Sequence, residues 1–230
     1  MLACSRNAGA AASRGEFLFF LDDDNVVAPD AIRFLVEALR PERSAVSAPI
    51  IYYLARPEAV WTSVILKGRF PGFYKLHTDV PRNTVRTFSF HNSFMVKRRI
   101  FEQLNGFDCQ LFPVRFSEVD FAHKIELEGC DALVTPNAKD WHDLGWSLVH
   151  VDSDRAYYTE RNRMIVIKKY FTKRDFRFYA ICLLPFLTAY YLFHHTLSTT
   201  DGRTKTAAAF LRGVASGFAF KVDRGPQHPR

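Results

Sequence analysis

The chain has 230 residues, enough for one sizeable domain or two small ones, and its 48% hydrophobic and 24% charged composition excludes disorder, collagen and coiled coil. The net charge of +7 is uneven: residues 1–160 carry 18 Lys and Arg against 21 Asp and Glu, whereas residues 161–230 carry 13 against 3. A net-negative front joined to a basic rear excludes a uniformly basic nucleic-acid binder, and no nucleic acid is expected as a partner.

No long apolar stretch lies between Met1 and Gly15, which predicts no signal peptide. Glu16 to Leu21 is an apolar run without alternation, the pattern of a strand buried on both faces of a parallel sheet, and it stops at Asp22-Asp23-Asp24. Pro29 stands where a helix can begin, with Ile32, Leu35, Val36 and Leu39 at helical spacing. Ala45 to Tyr53 predicts a strand. Thr84 to Val96 predicts another, antiparallel or at an edge. Arg98 to Leu104 reads as a short helix closed by Asn105-Gly106, and Ser117 caps a helix to Glu128 that ends at Gly129. Asp131 to Thr135 is a short strand and Asp152 to Tyr170 an amphipathic helix. Strands alternating with helices predict an α/β architecture.

The rear of the chain is different. Phe178 to Phe193 carries no charge, and at 16 residues, broken by Pro185, it falls short of the roughly 20 needed to span a bilayer. Lys168, Lys169, Lys173, Arg174 and Arg177 precede it, and Ala207 to Phe220 is again apolar. This pattern suits a surface-lying or re-entrant membrane element drawn to anionic lipid; it equally suits a helix packed on the domain. The 22 Phe and 9 Tyr allow buried aromatic walls or a membrane-facing surface. Cys4, Cys109, Cys130 and Cys182 lie far apart without metal-ligand spacing, which predicts neither a zinc finger nor a disulfide scaffold and favours a reducing compartment.

Three places carry chemistry. Ligands of open α/β sheets bind beyond the carboxyl ends of strands, and carboxylates crowded there repel one another unless a cation neutralises them. Asp22 and Asp24 are therefore candidate ligands for Mg²⁺ or Mn²⁺; a structural role at the following helix N-terminus is the competing reading. Glu118, in Ser117-Glu118-Val119-Asp120, is a candidate general base at a helix tip, where a capping box would use the same spacing. His142, in Trp141-His142-Asp143-Leu144-Gly145, is a candidate metal ligand. Arg161-Asn162-Arg163 can bind phosphate bidentately, although a solvated helix face is the usual fate of such residues.

In order, these pieces resemble family 2 glycosyltransferases of the GT-A fold. Ser5-Arg6-Asn7-Ala8-Gly9, Ala12, Gly15-Glu16 and Phe19-Phe20-Leu21-Asp22-Asp23-Asp24 resemble the family's run into its DxD motif. Asn92 to Arg98 with Leu104-Asn105-Gly106-Phe107-Asp108 resembles its next segment, Asn105 replacing a glycine. Ser117 to Asp120 stands where the family has Glu-Asp-x-Asp, His142 with Gly145-Trp146-Ser147 resembles a late element, and Tyr158 with Arg161-Asn162 a final helix.

The resemblance, spanning Cys4 to Lys169, implies an inverting hexosyltransferase that moves a sugar from a nucleotide-diphosphate donor to a hydroxyl of a glycan, lipid or polysaccharide precursor. It implies Asp22, Asp24 and His142 as metal ligands, Arg6, Asp22, Asp23, Asp24 and Arg161 as donor-binding residues, and Glu118 as base in place of the usual Asp. The expected organisation is a GT-A-like mixed sheet flanked by helices over residues 1–170, then a basic and apolar helical tail over 171–230. Because no counterpart of the family's opening strands precedes Cys4, the expectation is a partial domain from a longer protein. The competing function is an inactive, membrane-tethered interaction module. The expected location is cytoplasmic, peripheral or monotopic at the inner membrane face, with acceptor contacts in Lys67 to Arg82.

Overall fold

The computed structural model describes residues 2–143, 152–194 and 202–222. They form two compact units: Met1–Lys67 with Tyr74–Leu148, and Gly68–Phe73 with Val149–Arg230. This division differs from a boundary at residue 170, because the helix Ser153–Tyr170 belongs with the rear of the chain.

The first unit is built on a mixed sheet. Its path is β1 (Phe17–Leu21), β8 (Ser93–Lys97), β3 (Ser44–Tyr53), β9 (Asp131–His142) and β2 (Asn25–Val27); β4 (Arg56–Thr62) adds to β3, and β7 (Val85–Thr87) to β9. A separate hairpin joins β5 (Ile65–Lys67) to β6 (Tyr74–Leu76), so part of the expected acceptor loop is strand. Only β3 and β9 run parallel among these pairs.

β1 is covered on both faces, as its unbroken apolar run predicts, but it pairs antiparallel with β8 at the end of the sheet. Leu18 and Phe20 join one core cluster. Phe17 and Phe19 pack on the other, with Leu35 and Leu39 beneath the helix α2 (Ala31–Ala38). The absence of alternation reports two covered faces and says nothing of strand direction.

The predicted strand over Thr84 to Val96 is two strands, β7 and β8, and β8 lies inside the sheet between β1 and β3. The strand expected to stop at Thr135 continues to His142. Its pairing with β3 jumps from Pro49–Thr135 to Ile50–Lys139, so residues 136–138, including Pro136, bulge out and the ladder resumes.

The high Phe content is largely core. Phe20, Phe90, Phe94, Phe101, Phe107 and Phe121 are each at most 8% exposed, with ring centroids 4.4–6.5 Å apart. Burying each side chain contributes roughly 1.5–3 kcal/mol. The helices α1 (Leu2–Ala12), α3 (Arg98–Gln103) and α4 (Ser117–Leu127) supply much of this cluster's cover. Asn105 and Gly106 close α3 with φ of 57° and 58°, the left-handed turn expected of Asn-Gly. Gly106 is also crowded: a Cβ there would lie 2.8 Å from Asn7 Oδ1.

The second unit packs α5 (Ser153–Tyr170) against α8 (Arg203–Ala219). Asp152 caps α5 by accepting from the Arg155 N–H. Gly213 and Gly217, one turn apart on α8, allow the close approach: a Cβ on Gly213 would lie 2.3 Å from the Tyr157 carbonyl oxygen, and one on Gly217 2.8 Å from Met164 Sδ. Between them in sequence, α6 (Lys173–Phe178), a π-helical turn (Tyr179–Leu183) and α7 (Leu184–His194) run on continuously. The π-turn precedes Pro185, whose missing N–H would otherwise interrupt the ladder. The expectation of a segment too short to span is corrected here. The helix Lys173–Phe193 has 21 residues and is, by length and composition, long and apolar enough to cross a membrane.

Candidate functional site

The aspartates after β1 meet three other elements of the first unit. Arg6, on α1, is only 7% exposed, and its Nη2 donates to Asp22 Oδ1 at 2.8 Å. Its Nη1 donates to Glu118 Oε1, the second residue of α4. The guanidinium lies 5.7 and 5.9 Å from the Phe94 and Phe107 ring centroids. One buried arginine thus ties two candidate site carboxylates 96 positions apart in sequence.

α1 is held in register for this. Asn7 Nδ2 donates to the Phe107 carbonyl at 2.8 Å, and the Phe107 N–H donates back to Asn7 Oδ1 at 3.0 Å. Cys4 and Cys109 form a disulfide beside it, with Cα atoms 5.0 Å apart. The expectation of no disulfide scaffold did not foresee this one pair, because partners 105 residues apart leave no spacing signal. Cys130 and Cys182 are free.

The expected Ser117 cap is also corrected. Phe116, with φ of 63°, precedes α4, and Ser117 is the first helical residue, its hydroxyl donating to Glu118 Oε2 at 2.9 Å. Burial pushes the Glu118 carboxyl up, but the charge and hydrogen bonds of Arg6 outweigh it and hold it below its ordinary range. For Asp22 the balance is reversed, burial winning over Arg6, so its carboxyl sits above its ordinary value. Asp120 is fully buried, with Lys124 Nζ 3.6 Å from its Oδ2.

β2 and β9 bring in His142. Their antiparallel register pairs Asn25 with His142, and the Asp143 N–H donates to the Asp24 carbonyl at 2.9 Å. His142 Nε2 consequently lies 3.1 Å from Asp24 Oδ2. Its Nδ1 is buried without a hydrogen-bond partner. Asp23 is exposed between its two neighbours.

Sequence reasoning missed the residues behind this pair. The Trp61 ring, on β4, lies between His91 and His142, with centroids 4.8 and 5.1 Å away. Asn92 Nδ2 donates to Asn25 Oδ1 at 2.6 Å, and Asn25 Nδ2 donates to Asp140. Polar His91-Asn92 directly before an apolar strand was the available signal, but its partners come from β2, β4 and β9.

A cavity of about 660 Å³ runs along α1 and β1, lined by Ser5, Arg6, Gly9 and Phe17 through Asp24. The acids therefore stand at the end of a cleft. Two carboxylates and an imidazole are the oxygen and nitrogen donors that Mg²⁺ or Mn²⁺ accepts, and Asp24 with His142 fits that use. Asp22 is instead engaged by Arg6, and among the described residues no three His, Cys, Asp or Glu side chains converge closely enough to hold a metal.

Arg161 belongs to the second unit, where its Nη1 donates to Asn162 Oδ1 at 2.6 Å and its guanidinium lies 5.9 Å from the Tyr158 ring. Gly145-Trp146-Ser147 lies outside the described residues.

Residues 1–104 match the profile of Glycosyl transferase family 2. The match takes in α1, β1 and the three aspartates and covers less than half of the chain. The chain is also similar to the uncharacterized protein y4gI of Sinorhizobium fredii, with 27% identity over 186 residues, covering 74% of this chain and 20% of the relative. Among solved structures, GalNAc-T7 with UDP, GalNAc and Mn²⁺ superposes with a TM-score of 0.61 at 19% identity, over 78% of this chain and 36% of that one. The mannosyltransferase PcManGT of Pyrobaculum calidifontis, in complex with GDP-Man and Mn²⁺, matches with a TM-score of 0.48 at 17% identity, over 96% and 55%. The chain thus spans about a fifth of its curated relative and about a third of GalNAc-T7. The family segment ends before Glu118 and His142, and the GT-A glycosyltransferase fold carries the likeness beyond it.

Proposed function

We propose that the chain transfers a hexose from a nucleotide-diphosphate donor to a hydroxyl acceptor on a glycan, lipid or polysaccharide precursor, with inversion. The observation that carries this reading is the gathering of Asp22 and Asp24, at the end of the cleft and inside the segment that matches the family 2 profile, with Glu118 of α4 through Arg6 and with His142 of β9. The complexes of GalNAc-T7 with UDP, GalNAc and Mn²⁺ support the donor class and the metal.

Asp24 and His142 would hold the divalent ion, with the free oxygen of Asp22 as the next donor. When bound, the ion supplies positive charge to the departing diphosphate. Arg6 and Asp23 are assigned to the donor. Glu118 takes the proton of the acceptor hydroxyl, and Arg6 keeps it ionised until then. Attack from the Glu118 side, opposite the diphosphate, inverts the anomeric carbon.

Binding of UDP- and GDP-sugars to the full chain, with and without Mn²⁺, tests this by calorimetry. Asp24→Asn should abolish the Mn²⁺-dependent part while leaving the fold intact. Unchanged binding would remove Asp24 from the donor site, since Asn keeps the size of Asp and can still hydrogen-bond His142 without carrying the charge a metal needs. The pairing of Arg6 with both Asp22 and Glu118 favours one other reading, a non-catalytic interaction module in which these carboxylates are structural. Donor binding without product formation on any acceptor would select it.

A further inference from the structure

The helix running through α6 and α7 is apolar on two sides, and only one of them is covered by its own unit. Tyr179 and Leu184 are 0% and 5% exposed. Phe176 meets Phe218 of α8 near one end, with ring centroids 6.0 Å apart, and Tyr191 stacks on Phe210 near the other at 4.1 Å. The helix is therefore seated along its length, and its rotation about its axis is set.

That seating turns Ile181, Phe186, Tyr190 and Phe193 outward, at 46–79% exposure, with Phe178, stacked on Phe70 at 6.1 Å, at the edge of the stripe. Their spacing follows one helical face, with exposed Cys182, Pro185 and Ala189 filling the intervals. The same face begins with exposed Arg174 and Arg177. The single acidic residue of the helix, Asp175, is occupied at the N-cap, where it accepts from the Thr172 N–H and hydroxyl. Soluble monomers rarely leave a contiguous apolar stripe of this length in water. A stripe with a basic end, on a segment carrying 13 basic and 3 acidic residues over 161–230, complements an anionic apolar surface, which is a lipid bilayer.

We propose that this face lies in the plane of a membrane containing anionic lipid, its apolar part immersed at the boundary of headgroups and acyl chains and its basic end among the phosphates. The helix is long enough to span, but its opposite side is packed against the unit. α5, in that same unit, carries charges such as exposed Asp154 and half-exposed Lys169 that belong in water. One face is immersed and the unit stays outside. The anionic cytoplasmic leaflet is the one assigned. The assignment is independent of the catalytic reading, because it uses the second unit alone.

The test labels exposed Cys182 with an environment-sensitive fluorophore, in a Cys130→Ser background that leaves it the one free thiol among the described residues. The full chain is titrated with phosphatidylcholine vesicles, with and without about one-third phosphatidylglycerol. A blue shift and co-sedimentation are expected with the anionic vesicles, weakening at high salt. Arg174→Glu with Arg177→Glu should lower anionic-vesicle affinity by about tenfold or more and leave neutral-vesicle binding unchanged. Ile181→Asp with Phe186→Asp should lower both by about a hundredfold. All four positions are exposed, so near-ultraviolet circular dichroism should match the wild type. Absence of vesicle binding, or a wild-type response in both double variants, overturns the proposal. A dimer by light scattering whose Cys182 label is already blue-shifted without lipid also overturns it, and assigns the stripe to a second copy.

Discussion

Acidification should destabilise the first unit through His91. Its ring stacks on Trp61 and its Nε2 is buried without a partner. Burial pushes its imidazole down to about 4; Glu118 pulls it back up and His142 adds to the lowering. The unfolded chain therefore takes up this proton near 6.5, while the folded chain resists until about 4. The unfolded state binds more protons in that window, so stability is complete above 6.5 and drains away as pH falls toward 4. The gap corresponds to roughly 3 kcal/mol at the lower end, a large share of the 5–15 kcal/mol typical of a domain. Urea midpoints measured at intervals between neutral pH and about pH 4 would read the loss. Other groups also titrate there, so the decisive comparison is His91→Phe, which keeps a ring against Trp61 and removes the proton site. It should be close to neutral at pH 7, since it replaces a buried unpaired polar atom, and should flatten the pH slope. A His91 ring titrating above about 6 by nuclear magnetic resonance, or a His91→Phe slope equal to wild type, would refute the reasoning.

Other outcomes follow from the same geometry. Glu118→Gln should cut turnover by about 10² or more with donor affinity nearly unchanged, read by product formation and calorimetry; wild-type turnover would move the base role, first to Asp120. Arg6→Ala leaves Asp22 and Glu118 uncompensated and should cost about 3–5 kcal/mol in chemical denaturation, with Arg6→Lys intermediate. Because Arg6 holds Glu118 ionised, the stabilisation from that pair is present above the ordinary carboxylate range and is lost as pH falls below it. Cys109→Ser opens a link between residues 105 apart and should lower stability by about 2–4 kcal/mol; no difference from the oxidised chain would mean that the bridge is not formed in solution.

What the amino-acid sequence determined by itself was local. The apolar run into Asp22-Asp23-Asp24, the Asn105-Gly106 turn after α3 and the helical spacing over α2 and α5 each rest on residues a few positions apart, where side-chain period and backbone conformation act directly. The order of motifs likewise pointed to the glycosyltransferase family. Tertiary structure decided what those residues face. Pro136 reads as a strand end, yet β3 offers a parallel partner long enough to carry β9 past the bulge to His142. Arg6 reads as one arginine of a motif, and only the docking of α1 onto the Phe94 and Phe107 rings places it between Asp22 and Glu118. The stretch from Phe178 to Phe193 reads as uniformly apolar, and only the contacts with α5, α8 and Phe73 select which side is left outward. These outcomes depend on partners from 16 to 118 residues away in sequence, where packing and pairing, not local propensity, set the energy.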